Sequence, residues 1–213
     1  NGHLYNWYNT ETLAPLIPRY ISSVDSGNFV GYLYVLKQFL VDKKEKIQEI
    51  LKERNTLDEP DRINKKLLEE NKENPNNEEK QKFLREENQE KNISTEYIQA
   101  NVQSENSNLK KIDFMIDAIT NLIENTDFKV LYDEENRLFS VGFNVEDGKL
   151  TDSYYDLLAS EARQASLVAI AKKDISEKHW YNLSRTLTSL NSYKGLISWA
   201  GTSFEYLMPS INI

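Results

Sequence analysis

Cysteine is absent from the 213-residue chain, so disulfides and thiolate chemistry are excluded and the redox compartment stays open. Histidine is nearly absent. Only His3 and His179 occur, with no partner at helical spacing to build a metal site. A nucleophile–base triad would rest on one of those two rings. The seven glycines are scattered, and none belongs to a Gly-rich phosphate loop. Basic charge is also in deficit: a formal net charge of −8 argues against nucleic acid, which needs a basic face. Apolar runs such as Leu167 to Ala171 are far too short to span a bilayer, so no membrane insertion is expected. Neither a metal nor a cofactor is called for.

What remains is ordinary for a globular chain, with 39% hydrophobic and 28% charged residues, arranged in three zones. In the first, an aromatic loop with Pro15 and Pro18 precedes a helix that starts near Val24, where Asp25 or Ser26 can cap its free amides. Phe29, Leu33, Leu36, Leu40, Ile47 and Leu51 recur at helical spacing and give it one apolar stripe. The second zone, 55–108, is rich in Glu, Lys, Asn and Gln, with a break at Asn74-Pro75-Asn76-Asn77. Only Ile63, Leu67, Phe83, Leu84, Ile93 and Tyr97 form an apolar seam. It reads as a solvated helical arm or hairpin; its heptads are too broken for a coiled coil.

In the third zone Leu109, Ile112, Met115, Ile116, Ile119, Leu122 and Ile123 mark an amphipathic helix. A turn at Asp133-Glu134-Glu135-Asn136 and the alternation of Phe139, Val141, Phe143 and Val145 predict a strand pair. A second turn falls at Asp147-Gly148. A helix is predicted over 152–172, its alanines spread around the circumference as in a helix packed on every side. A strand pair around Asn191 to Gly195 and a helix start near Thr202 complete the reading.

Two clusters carry possible chemistry. His3, Tyr5, Trp7 and Tyr8 crowd one loop, with Asp25 and Asn28 at the next helix start. Trp199, Phe204, Glu205 and Tyr206 gather at the last helix start. Aromatic faces beside carboxylates and amides suit a sugar, whose C–H face stacks while its hydroxyls hydrogen-bond. The same residues would serve equally as core anchors, with Asp25 and Ser26 merely capping. His179, in Glu177-Lys178-His179-Trp180-Tyr181, reads as a packed helix start rather than a base.

Longer blocks add to this. Gly2-His3-Leu4-Tyr5-Asn6-Trp7-Tyr8, Pro18 to Asn28, Leu138 to Asn144, Tyr154 to Arg163, and Trp199-Ala200-Gly201-Thr202-Ser203-Phe204-Glu205-Tyr206-Leu207-Met208-Pro209 together closely resemble the glycoamylase-like domain of cyclic β-1,2-glucan synthases. They occur in that family's order and cover nearly everything but the charged arm. Two departures are Asn9, where the family pattern has aspartate, and an arm more polar than usual.

The resemblance implies a mainly α fold, part of an (α/α)6 toroid with small β hairpins and a charged helical arm. It makes residues 1–213 a fragment of one such domain, with 55–108 as an insertion, and both aromatic-rich ends then read as cuts through a larger fold. It implies a retaining transglycosylation that closes linear β-1,2-glucan into a ring, within a bacterial membrane-associated parent whose glycoamylase-like domain is cytoplasmic. Such transfer uses two carboxyl groups about 5–5.5 Å apart, expected beyond Ile213. This chain would bind glucan through the two clusters, with the rest of the parent or a second copy as a further partner. The alternatives are a structural or interaction fragment, and a stand-alone glycoside hydrolase using Asp25 and Glu205.

Overall fold

The computed structural model describes residues 2–70 and 78–211; for 54–70, 78–101 and 190 it describes the backbone alone. The break at Asn74-Pro75-Asn76-Asn77 and the side chains of Ile63, Leu67, Phe83, Leu84, Ile93 and Tyr97 lie outside the described residues.

A short strand β1 (Tyr20–Ser22) runs into α1 (Ser23–Glu70), and α2 (Glu78–Asn125) follows. A 3-10 turn, Phe128–Leu131, leads to strands β2 (Tyr132–Asp133), β3 (Leu138–Ser140), β4 (Gly142–Asn144), β5 (Lys149–Leu150) and β6 (Tyr154–Tyr155). Helices α3 (Arg163–Ala171) and α4 (Lys178–Asn182), the hairpin β7 (Leu187–Leu190) and β8 (Tyr193–Leu196), and α5 (Ser203–Leu207) complete the order. Helix accounts for about half of the chain, and among the described residues three small sheets, ordered β1-β4-β5, β2-β3-β6 and β7-β8, are antiparallel. Mainly α describes it.

The contacts divide the chain into two units, one of Asn1–Lys37 with Ala118–Ile213, the other of Gln38–Asp117. In the first, Phe128, Leu131, Phe139 and His179 are fully buried. The Phe139 ring meets Tyr132, His179 and Phe128 edge-on at 5.4, 5.2 and 6.2 Å. Helix α3 crosses α1 where α1 has no side chain: a methyl on Gly27 would sit 2.5 Å from Ala165 Cα, and one on Gly31 would collide with Gln164. Two glycines one turn apart let the backbones approach this closely. Lys172, just past α3, donates to the carbonyls of Ile123 and Thr126 at 2.6 and 2.5 Å, closing the C-terminal end of α2. In the second unit, Leu40 and Ile112 are buried and Lys44 pairs with Asp113 at 2.6 Å.

Several expectations need correction. Residues 152–172 are not one helix. Tyr154 and Tyr155 pair with β3, and Leu157 and Leu158 are drawn to Ser184, so the helix begins only at Arg163. Backbone partners outside the segment outcompete its own helical bonds. The alternating run 139–145 is not one strand either. Ser140 Oγ donates toward the carbonyls of Gly142 and Thr151, bending the chain, so β3 and β4 join different sheets. On α1, Leu36 is exposed while Val30 and Leu40 are buried; on α2, Met115 and Leu122 are exposed beside buried Ile112, Ile119 and Ile123. Finally, neither Asp25 nor Ser26 caps α1. Ser22 Oγ accepts from the Asp25 N–H at 3.2 Å, a cap written in the sequence as Ser22-Ser23-Val24-Asp25.

Among the described residues no helix is long and apolar enough to cross a membrane, and no group of three His, Asp or Glu side chains could hold a metal ion.

Candidate functional site

The N-terminal loop is held by its own backbone. Tyr8 and Pro15 bridge, Leu16 N–H donates to the Trp7 carbonyl and Asn6 N–H to that of Tyr20, at 2.9 and 2.8 Å. Asn9 Oδ1 accepts from the Glu11 and Thr12 amides at 2.9 and 2.8 Å. Asparagine makes this turn as well as aspartate does, which accounts for the departure at Asn9.

His3 is a fastener. Its Nδ1 lies 2.9 Å from Ser26 Oγ and its Nε2 2.7 Å from the Asp127 carbonyl, with the ring edge-on to Phe128. A carbonyl only accepts, so Nε2 carries the proton toward Asp127, while the Ser26 hydroxyl beside Nδ1 also reaches the Ser22 carbonyl at 2.7 Å. Burial pushes its pKa below the usual imidazole value, against the pull of the Asp127 carbonyl.

The loop so fastened presents Trp7, 48% exposed, tilted against the Tyr20 ring at 6.1 Å. The Tyr8 hydroxyl accepts from Tyr5 N–H at 2.9 Å. Tyr20 is fixed by its hydroxyl, 2.8 Å from Thr151 Oγ1, and by Gly142, where any side chain would strike its ring. Asp25 is exposed in the first turn of α1, and Asn28 follows three residues on, its Oδ1 buried with no donor. Tyr155, on β6, is half-buried. Burial, then the nearby Glu161, Tyr20 and Asp25, push its phenol up to about 12, so it remains a proton donor at any physiological pH. Sequence reasoning passed over Tyr20, Tyr155 and Glu161. The blocks that contain them were recognised, but 154–161 was assigned to a helix that would have sent Tyr155 elsewhere.

The C-terminal cluster is organised differently. Thr202 and Glu205 form a reciprocal capping box at α5. The Glu205 carboxylate accepts from Ala200 N–H, Thr202 N–H, Thr202 Oγ1 and Ser198 Oγ, all within 3.1 Å. The Thr202 amide foremost, then Ala200, hold it down to about 2 against the effect of burial. A carboxyl held there is no general acid near neutrality. Tyr206 Oη donates to the Leu196 carbonyl at 2.6 Å, while Trp199 and Phe204 are exposed. No hydrogen bond or ring contact among the described residues joins this cluster to the N-terminal one.

His179 is fully buried, 2.8 Å from Ser166 Oγ and 3.0 Å from the Arg137 carbonyl. It has the surroundings of a packed helix start.

The N-terminal cluster thus sets an exposed indole among phenols, a carboxylate and an amide, groups able to stack on and hydrogen-bond a polar ring. No family profile matches the chain. It is similar to the cyclic β-(1,2)-glucan synthase NdvB of Rhizobium meliloti (strain 1021), 30% identical over 274 aligned residues that take in 99% of this chain. The chain spans only about a tenth of that relative's length. Because the aligned stretch exceeds the chain's own length, the relative carries residues there that this chain lacks. The likeness runs through both clusters and relates the chain to that synthase.

Proposed function

We propose that the chain is a segment of a carbohydrate-active enzyme acting on β-1,2-glucan, and that it supplies part of the glucan-binding cleft of a retaining, ring-closing transglycosylase domain. That domain is glycoamylase-like, an (α/α)6 toroid of which residues 1–213 are part and 55–108 a charged helical insertion. His3, Tyr5, Trp7, Tyr8, Asp25, Asn28, Trp199, Phe204, Glu205 and Tyr206 belong to the cleft in different ways. Trp7 and Trp199 stack on sugar rings, while His3 and Glu205 hold the loops that present them. The reacting carboxylates come from the rest of the parent polypeptide, which is bacterial, associated with the inner membrane, and carries this domain in the cytoplasm.

The observation that supports the reading most is the Trp7 indole, nearly half exposed and braced by Tyr20. A ring held flat at a surface gives a pyranose a rigid platform at little entropic cost. Titrating the 213-residue chain with linear β-1,2-glucan tests it. Wild type binds and forms no cyclic product, while Trp7→Ala weakens binding about tenfold or more, as loss of an aromatic anchor does. Equal affinity of the two proteins would sink the role of Trp7. Cyclic product would place the reacting carboxylates within the chain.

A further inference from the structure

We infer that Glu146, remote from the N-terminal loop in sequence, is a positioning residue for the Trp7 platform: it clamps Arg19 and thereby sets the Tyr20 ring against which the indole rests. The inference takes its ligand from the glucan-binding reading above and adds the group that aligns the platform.

The clamp is built from a turn. Val145-Glu146-Asp147-Gly148 joins β4 to β5, whose Asn144 and Lys149 pair across it. Asn144 Oδ1 accepts from the Glu146 and Asp147 amides at 3.0 and 3.3 Å, and its Nδ2 donates to Asp147 Oδ2 at 2.7 Å. An Asx turn closed in this way fixes the backbone that carries Glu146. The carboxylate then takes Arg19 twice, at Oε2 from its backbone N–H and at Oε1 from Nε, both at 2.7 Å. Val145 N–H adds a bond to the Arg19 carbonyl at 3.0 Å. Charge-assisted bonds of this length are short and strong, and two on one carboxylate fix direction as well as distance.

The next residue along the chain is Tyr20. It pairs with Asn144, the residue that closes the same turn, and its hydroxyl meets Thr151 Oγ1 just past β5 at 2.8 Å. Its carbonyl accepts from Asn6 N–H, and its ring lies 6.1 Å from the Trp7 indole at a tilt of 33°. Trp7 thus inherits its place from the β4–β5 turn through Arg19 and Tyr20. Both partners of the ion pair are partly exposed, at 44% for Arg19 and 29% for Glu146. Such a pair contributes little to stability and is weakened by salt, so its loss shows in the platform rather than in the fold. The glucan itself is uncharged, and a salt dependence of its binding has to enter through the protein.

The test compares wild type with Glu146→Ala and with Glu134→Ala, an exposed glutamate in another turn that makes the same change of charge. Linear β-1,2-glucan is titrated at about 0.05 and about 0.5 M salt, and urea midpoints are measured alongside. Indole anisotropy decay is recorded in a Trp180→Phe, Trp199→Phe background, where Trp7 is the one remaining tryptophan. Glu146→Ala keeps the urea midpoint, frees the Trp7 indole and weakens glucan binding about two- to fivefold, the range of an exposed ion pair. High salt brings wild type toward Glu146→Ala, which does not respond to it, and Glu134→Ala matches wild type throughout. Unchanged Trp7 mobility in Glu146→Ala overturns the clamp. So does a midpoint that falls together with affinity, because Glu146 is then structural. A freed indole with unchanged affinity removes the link to binding and leaves the glucan reading standing. If wild type binds no glucan, that reading falls, and the clamp stands or falls on the anisotropy alone.

Discussion

The two aromatic–carboxylate clusters draw on the same residue types yet differ in what they leave available. At the C-terminal end Glu205 is encircled by amides and hydroxyls of its own loop, and Tyr206 is tied to Leu196. At the N-terminal end the fastening falls to His3 and Asn9, which leaves Trp7 and Asp25 facing outward. Composition alone rates the clusters alike. What separates them is whether a polar group's partners are supplied by the fold or have to come from elsewhere. Glu205 is a structural carboxylate that presents its neighbours Trp199 and Phe204, whereas Asp25 is free to meet a ligand.

The largest effect expected from perturbing this arrangement lies beneath the N-terminal cluster. Gly27→Ala puts a methyl against the Ala165 backbone, where neither helix can give way easily. Overpacking of this kind costs about 1–3 kcal/mol, read as a lower urea midpoint with unchanged slope; a neutral result would mean that α3 is free to slide. Next comes Glu205→Ala, which removes the capping box and leaves the Ala200 and Thr202 amides without their acceptor. A loss of about 0.5–2 kcal/mol is expected, with glucan affinity falling only through the presentation of Trp199.

Acid separates the clusters in two stages. His3 and His179 have pKa values below the ordinary 6.5 when folded, so the unfolded chain binds protons first. Their contribution is complete above 6.5 and fades as pH falls below it. Glu205, shifted from 4.5 to about 2, keeps its contribution down to about 4.5 and loses it from there towards 2. A stability–pH curve should therefore decline first with the histidines, and Glu205→Gln should shrink only the more acidic limb. Asp133, also held down to about 2 by the Asn136 amide and Tyr154 hydroxyl, contributes to that limb as well. The smallest effect is expected for Asp25→Ala, whose side chain caps nothing. Its stability change stays within about 0.5 kcal/mol, while its glucan affinity drops; a large loss of stability would make Asp25 structural after all.

Much of this was legible along the chain. The turn at Asp133 to Asn136, the hairpin around Asn191, the helix start near Thr202 and the long helices all follow from local rules, because one turn or helix start needs only a few neighbouring residues. The helix assigned to 152–172 failed for the opposite reason. Its first half has acceptable helical propensity, and only the unpaired edge of β3 and the backbone of Ser184, remote in sequence, drew it away. Tyr155 was lost to the site reading by that same error.

By itself, then, the sequence determined the chemistry on offer: no thiol, hardly any imidazole, a surplus of acid, and aromatic rings grouped with carboxylates in blocks that resemble a glucan-handling domain. Only the tertiary structure decided which carboxylate stays free. A hydrogen-bonding group has a fixed number of partners, and whether Ala200, Thr202 and Ser198 reach Glu205 while nothing in the fold caps with Asp25 depends on how distant segments meet.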